Sequence, residues 1–223
     1  MIDLVTKLVL KPLARAVYRP TIEGLENVPR KGGVILASNH LSFVDSVVIP
    51  LAAPRQVFFL AKAEYFTGTG FKGAVSRYFF THVINAVPVE RGSVRAATAS
   101  LEEGLEILNS GRAFGIYPEG TRSLDGRLYR GKTGVAWLAL TAGVPVVPVA
   151  LEGPQHILPV GKRLPRIRRI TVRFGEPLRF DDLHGQARSA KARRQVTDEV
   201  MAAIQELSGQ ELAEQYNEAP KAA

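Results

Sequence analysis

Residues 39–46 read NHLSFVDS, which places a histidine and an aspartate five residues apart directly after the apolar run Val34–Ala37. An imidazole that donates one N–H to a carboxylate has a fixed tautomer, and its other nitrogen is then free to take a proton from a hydroxyl. His40 is therefore a candidate general base and Asp45 the group that would orient it. On one continuous helix, residues five apart point roughly 140° from each other, so a turn must intervene. Asn39 and Ser42 are turn and cap formers, and Asp45 falls where a first helical turn would start. The plain alternative is that Asn39, His40 and Asp45 only cap a helix.

Two further polar clusters follow apolar runs. After Ala113–Tyr117 comes PEGTRS, where Pro118 stops a strand, Gly120 permits a tight approach, and Glu119, Thr121 and Arg122 are presented at the strand mouth. In AVPVERG, Arg91 closes a third apolar run. Each arginine alone reads as a solvated charge. Three polar clusters at strand ends, however, are where ligands gather in open α/β sheets.

The elements that must position these residues are legible as periodicities. Strands are expected at Val34–Ser38, Val57–Ala61, Val83–Val89 with a break at Pro88, Ala113–Tyr117, Val144–Ala150 and Ile170–Phe174. Helical spacing recurs at Ala97, Leu101, Leu105 and Leu108, and again at Val196, Val200, Ile204 and Leu207. The uncharged stretch from Thr133 to Leu151 has the length of a membrane span. Gly143, Pro145 and Pro148 divide it instead into a helix from Gly134 to Ala142 and a buried strand. The alternation indicates one α/β domain with a mostly parallel or mixed sheet flanked by helices.

Residues 21–207 are assigned to that domain, and residues 208–223 to a polar C-terminal tail that frays. Residues 1–20 form an amphipathic helix with Asp3, Lys7, Lys11, Arg15 and Arg19 on one stripe, kinked at Pro12. It reads as interfacial, or else as packed on the core. No signal-peptide pattern or transmembrane segment is read. The 223 residues carry a net charge of +8, from 20 Arg and 9 Lys against 21 acids, which suits planar recognition of phosphate. The lack of cysteine excludes disulfides, thiolate metal sites and a cysteine nucleophile.

The motifs together resemble the glycerolipid acyltransferase family, specifically the 1-acylglycerol-3-phosphate acyltransferases. NHLSFVD fits that family's N-H-x-S-x-x-D block, EGTRS matches a second, VPVVPV (Val144–Val149) looks like another, and all lie in the family's order. NAVPVER is the weaker block, since Asn85 stands where glycine is usual, and Tyr117 replaces a usual Phe. The Asn85 departure bears on local backbone geometry and hence on the aim of Arg91.

The resemblance implies a glycerol-3-phosphate acyltransferase-like fold and a direct transfer from acyl-CoA or acyl carrier protein to the hydroxyl of 1-acylglycerol 3-phosphate. Glycerol 3-phosphate or another lysolipid is the alternative acceptor. His40 would be the base and Asp45 its holder. Arg91 and Arg122 would grip the acceptor phosphate, Glu119 would orient that pocket, and Gly120 and Thr121 would complete it; Lys132, read from its own place in the sequence, either meets a substrate phosphate or is a solvated lysine at a helix start. Asp45→Asn is expected to cost nearly as much as His40→Ala, through the wrong tautomer. A thioester is already activated, so no cofactor and no metal are expected. The partners implied are the lysophospholipid, acyl-CoA and an anionic membrane surface, at the cytoplasmic inner face of the cell membrane as a peripheral protein.

Competing readings are weaker. GRLYRGKT (Gly126–Thr133) satisfies a phosphate-loop pattern around Lys132 literally, but it does not emerge from a strand and its interior side chains are large. A non-catalytic lipid-binding module would not need His40 and Asp45. No G-x-S-x-G elbow occurs, and His82, His156 and His184 lack ligand spacing. The basic run Lys162–Arg173 lacks the interleaved aromatics of a nucleic-acid stripe. It would attract CoA phosphates or anionic lipid, or be a solvated face.

Overall fold

The run Val34–Ala37 is buried on both sides: Val34 and Leu36 join one hydrophobic cluster, Ile35 and Ala37 another. Successive side chains of a strand point to opposite faces, so a strand apolar at every position needs cover on both. The computed structural model, which describes residues 11–90, 94–159 and 164–218, meets that demand with helices on the two faces of a sheet.

In chain order, α1 (Lys11–Tyr18) leads into β1 (Thr21–Glu23) and β2 (Val34–Ser38). Then come α2 (Asp45–Ala52), β3 (Val57–Lys62), α3 (Gly70–Tyr78), β4 (Ala86–Val89), α4 (Val94–Asn109), β5 (Ala113–Ile116) and the short β6 (Leu128–Tyr129). After these follow α5 (Gly134–Ala142), β7 (Val146–Glu152), α6 (Pro154–Ile157), β8 (Thr171–Phe174), α7 (Ala190–Ser208) and β9 (Leu212–Ala213). The main sheet has the order β1-β8-β7-β2-β5-β3-β4. All its pairings are parallel except β7 with β8. The C-terminal ends of β2, β3, β4, β5 and β7 therefore share one end of the sheet, and every candidate cluster follows one of them.

The uncharged stretch divides as expected: α5 ends at Gly143, in the left-handed region at φ 62, and β7 follows. Among the described residues no helix is long and apolar enough to cross a membrane. Two prolines lie within the described strands, and only Pro88 sits at an edge where a missing N–H is harmless. Pro88 lies on the edge strand β4, and Pro148 accepts from Gly175 just past the end of β8.

Two expectations are corrected, the strand from Val83 and the fraying tail. The strand foreseen from Val83 starts at Ala86, because Phe79–Val83 continues α3 as a π-helical turn that buries Phe80 and Val83. A short apolar run does not by itself distinguish helix from strand. Helix α7 starts at Ala190, well before its apolar period begins, capped by the Ser189 hydroxyl accepting from Ala192 N–H. Of the tail expected to fray, residues 209–218 are held in place: β9 pairs with β6, Leu128 donates to the Glu211 carbonyl, and Arg130 donates to that of Gln215, while residues 219–223 lie outside the described residues. Residues 1–10, half of the expected amphipathic helix, lie outside the described residues, whereas Lys11–Tyr18 is helical.

Candidate active site

Strand β2 ends at Ser38 and α2 begins at Asp45, so the turn required by the His40 and Asp45 spacing is present. Asp45 closes it. Its Oδ2 accepts from Leu41 N–H at 2.7 Å, from Ser42 N–H at 2.8 Å and from His40 Nδ1 at 2.8 Å. A fully buried carboxylate would be costly alone. Two backbone donors, the imidazole and its place in the first turn of α2 offset that cost. One oxygen thus folds the loop and fixes the ring, leaving Nε2 as the ring nitrogen available to the cleft that His40 lines. The capping alternative is not excluded by this arrangement but contained in it.

Asn39 points elsewhere. Its side chain accepts from Leu151 N–H at 2.8 Å and donates to the Leu151 carbonyl at 3.0 Å, which ties the end of β2 to β7.

The imidazole is also held from its face. Tyr117 stacks on it with ring centroids 3.8 Å apart and planes within 8°, and Phe59 stacks behind Tyr117 at 5.6 Å. The Tyr117 hydroxyl bonds Ser46 Oγ at 2.9 Å, so tyrosine at this position anchors the stack to α2 in a way phenylalanine cannot. Burial, then the charge of Asp45, pushes the Tyr117 phenol well above its ordinary pKa, and it stays neutral.

Glu119 is placed differently from a substrate contact. Fully buried, it accepts from His40 N–H and from Tyr129 N–H, both at 3.0 Å, and so joins the two loops that flank the cleft. Burial pushes its carboxyl up to about 7 against the pull of those two donors, with Asp45 and Asp125 adding to the rise. Gly120 has φ 78, and a Cβ there would lie 2.9 Å from Lys132 Nζ, so the glycine lets the ammonium lie across the motif loop. Thr121 and Arg122 line the same cleft as His40. Arg91 lies outside the described residues. The Asn85 departure has a clear geometry: φ is 55, the left-handed conformation in which asparagine is the usual substitute for glycine.

The cleft has a volume of about 670 Å³. Its wall is largely apolar and aromatic, including Phe43, Phe59, Tyr65, Phe80 and Phe114, while Lys62, Thr121 and Arg122 supply the polar and cationic part. Such a surface suits a long apolar group carrying an anionic end. Among the described residues no cluster of three or more His, Asp or Glu side chains could hold a metal ion.

The phosphate-loop reading of Gly126–Thr133 does not survive the geometry. Gly126 N–H is taken by Ser123, Arg127 N–H by Asp125 and Tyr129 N–H by Glu119. The N–H groups of Leu128, Arg130 and Lys132 go to Glu211, Gln215 and Pro118 carbonyls. A cradle made of backbone N–H groups needs them free.

Sequence reasoning missed the stacked Tyr117 as a holder of the His40 ring, and Gln210. The Gln210 side chain accepts from Asn39 at 2.7 Å and donates to the Gly126 carbonyl at 2.7 Å. Tyr117 was signalled by its place immediately after β5. Gln210 carries no local signal, because its partners are 171 and 84 residues away.

A family model described as Acyltransferase matches residues 19–152. The chain is 31% identical over 159 residues to 1-acyl-sn-glycerol-3-phosphate acyltransferase of Bacillus subtilis, covering 70% of this chain and 72% of the relative. It is 34% identical over 145 residues to the chloroplastic 1-acyl-sn-glycerol-3-phosphate acyltransferase BAT2 of Brassica napus, covering 65% of this chain and 40% of that protein. The chain thus spans well under half the length of that plant relative. Among solved structures, the 1-acyl-sn-glycerophosphate (LPA) acyltransferase PlsC from Thermotoga maritima is similar with a TM-score of 0.67 and 26% identity, over 89% of this chain and 78% of that one.

Proposed function

Because the chain belongs to the acyltransferase family, we propose that it transfers a fatty acyl group from acyl-CoA or acyl carrier protein to the free hydroxyl of 1-acylglycerol 3-phosphate, giving phosphatidic acid. The observation that carries this reading is the His40 and Asp45 pair, hydrogen-bonded at 2.8 Å beside a largely apolar cleft with a cationic part.

In the proposed reaction His40 Nε2 takes the hydroxyl proton as the oxygen attacks the thioester carbonyl. The new C–O bond forms, the C–S bond breaks, and the imidazolium returns the proton to the departing thiolate. Asp45 keeps Nδ1 protonated throughout and stabilises the imidazolium. Base assistance of this kind is worth roughly 10²- to 10⁴-fold, and the remainder must come from positioning. Arg122, with Lys132 lying across Gly120, supplies positive charge for the acceptor phosphate, and Glu119 holds the loop that carries it. The acceptor is a lipid, so the protein works as a peripheral protein at the cytoplasmic face of a membrane.

The test is thiol release from palmitoyl-CoA by the purified protein, with lysophosphatidic acid, glycerol 3-phosphate and other lysolipids as acceptors. ATP hydrolysis serves as the control. Thiol release that depends on lysophosphatidic acid and is abolished in folded His40→Ala is expected. Release without any acceptor, or more than a tenth of wild-type turnover in that variant, would overturn direct transfer by a His40 base.

A further inference from the structure

The segment Leu164–Arg169, reading LPRIRR, is exposed throughout. Leu164 is 81% and Ile167 66% exposed, so no described residue covers these large aliphatic side chains. Between and after them stand Arg166, Arg168 and Arg169, none of which forms an ion pair with a described residue. The segment is nonetheless pinned, since Arg166 N–H donates to the Ile157 carbonyl at 2.8 Å at the end of α6. Across a groove of about 470 Å³ it faces the last turn of α1, where Val17 is also exposed and Arg19 adds another cation.

Topology decides where this surface points. β8 starts at Thr171 opposite Glu152, the last residue of β7, and β1 starts at Thr21 beside Thr171. LPRIRR and α1 therefore lie at the sheet end that receives the C-termini of β7 and β2, the end that carries His40. β8 is two strands from β2, about 10 Å at the usual strand spacing.

We infer that Leu164–Arg169 is a membrane-docking loop, with Leu164 and Ile167 entering the apolar layer of an anionic bilayer while Arg166, Arg168 and Arg169 meet lipid phosphates. Alternating aliphatic and guanidinium side chains match the two layers of such an interface, and neither a soluble anion nor a nucleic acid would engage the aliphatic pair. The inference deepens the proposed lipid acceptor by stating how the cleft is brought to it, and vesicle binding is read without turnover, so the two can fail separately.

Cosedimentation of the full chain is compared on phosphatidylcholine vesicles with and without phosphatidylglycerol. Leu164→Ser/Ile167→Ser should weaken binding on the order of 100-fold or more. Replacing the three arginines with Gln should weaken it on the order of 100-fold on anionic vesicles only, at about fivefold per cation. Both variants should keep wild-type activity on a short-chain soluble acceptor. Ile167→Trp in a Trp137→Phe background should be quenched by brominated lipid, a readout that a merely structural role would not move. Unchanged vesicle binding, or an unquenched Trp at 167 in vesicle-bound protein, overturns the loop as a docking element. So would a raised KM for the soluble donor, which would assign the arginines to CoA, or a change of oligomeric state, which would assign the apolar pair to a second copy.

Discussion

Asp45→Asn separates charge from tautomer at the base. Asp45 Oδ2 receives three donors, two of them backbone N–H groups that the substitution does not alter. With its amide oxygen in the Oδ2 position, an asparagine keeps all three contacts. With its NH₂ there, it faces two N–H donors and retains only a contact to the ring. Two hydrogen bonds, each worth about 0.5–1.5 kcal/mol, favour the first arrangement, so His40 keeps its proton on Nδ1. On this geometry the tautomer is kept, in place of the wrong-tautomer loss expected from the sequence. What is lost is the negative charge beside the imidazolium: a charge-assisted bond of about 1.5–3 kcal/mol becomes a neutral one of about 0.5–1.5 kcal/mol. A fall in kcat of roughly 10- to 100-fold follows. Thiol-release kinetics measure the loss, and ring ¹⁵N–¹H spectra identify the protonated nitrogen. A loss of roughly 10⁴-fold with the proton found on Nε2 would refute the reasoning, because it would mean that the backbone donors do not orient the side chain.

Other outcomes follow from the same geometry. Glu119 has a folded pKa of about 7 against an ordinary 4.5, so the folded state holds the extra proton, and stability falls as pH rises from about 4.5 to about 7, by ~3 kcal/mol in all. In Glu119→Gln that slope should vanish from urea melts taken across the range, at a cost of about 1–3 kcal/mol for whichever N–H loses its acceptor. At Asn85, with φ 55, replacement by Gly should change stability by less than about 0.5 kcal/mol, whereas Val should cost about 1–2 kcal/mol by thermal unfolding. Asn217 donates to the carbonyls of Thr121 and Arg122, so Asn217→Ala should raise the acceptor KM severalfold while leaving the donor KM and the melting temperature unchanged.

What the sequence disclosed tracks the range of the interactions involved. Val34–Ala37, α5 with its terminal Gly143, and the His40 and Asp45 turn are each decided within about ten residues, and each was readable. The fold class followed from alternation alone. Where a segment owes its conformation to distant partners, local reading failed: Leu212–Ala213 is extended only because Leu128–Tyr129 lies beside it. Glu119 shows the same limit within the site. Its place after β5 was legible, but its burial between His40 N–H and Tyr129 N–H was not, and a surface-like motif glutamate proved to be an internal brace.

The C-terminal strap sets an order in time. The contacts of Asp45 with residues 40–42 span at most five positions, so this turn is closed by local chain even though Tyr117 and Glu119 hold His40 from farther away. The loop bearing Thr121 and Arg122 is closed by Asn217 across 96 and 95 residues, and Gly126 by Gln210 across 84. Contacts of that separation form only after the intervening chain exists. A nascent chain therefore contains the whole His40 and Asp45 turn long before the Thr121 and Arg122 loop can be fastened. The cationic side of the apolar cleft is thus fastened only once residues 210–217 have been made, whereas the turn joining His40 to Asp45 is complete in sequence by residue 45.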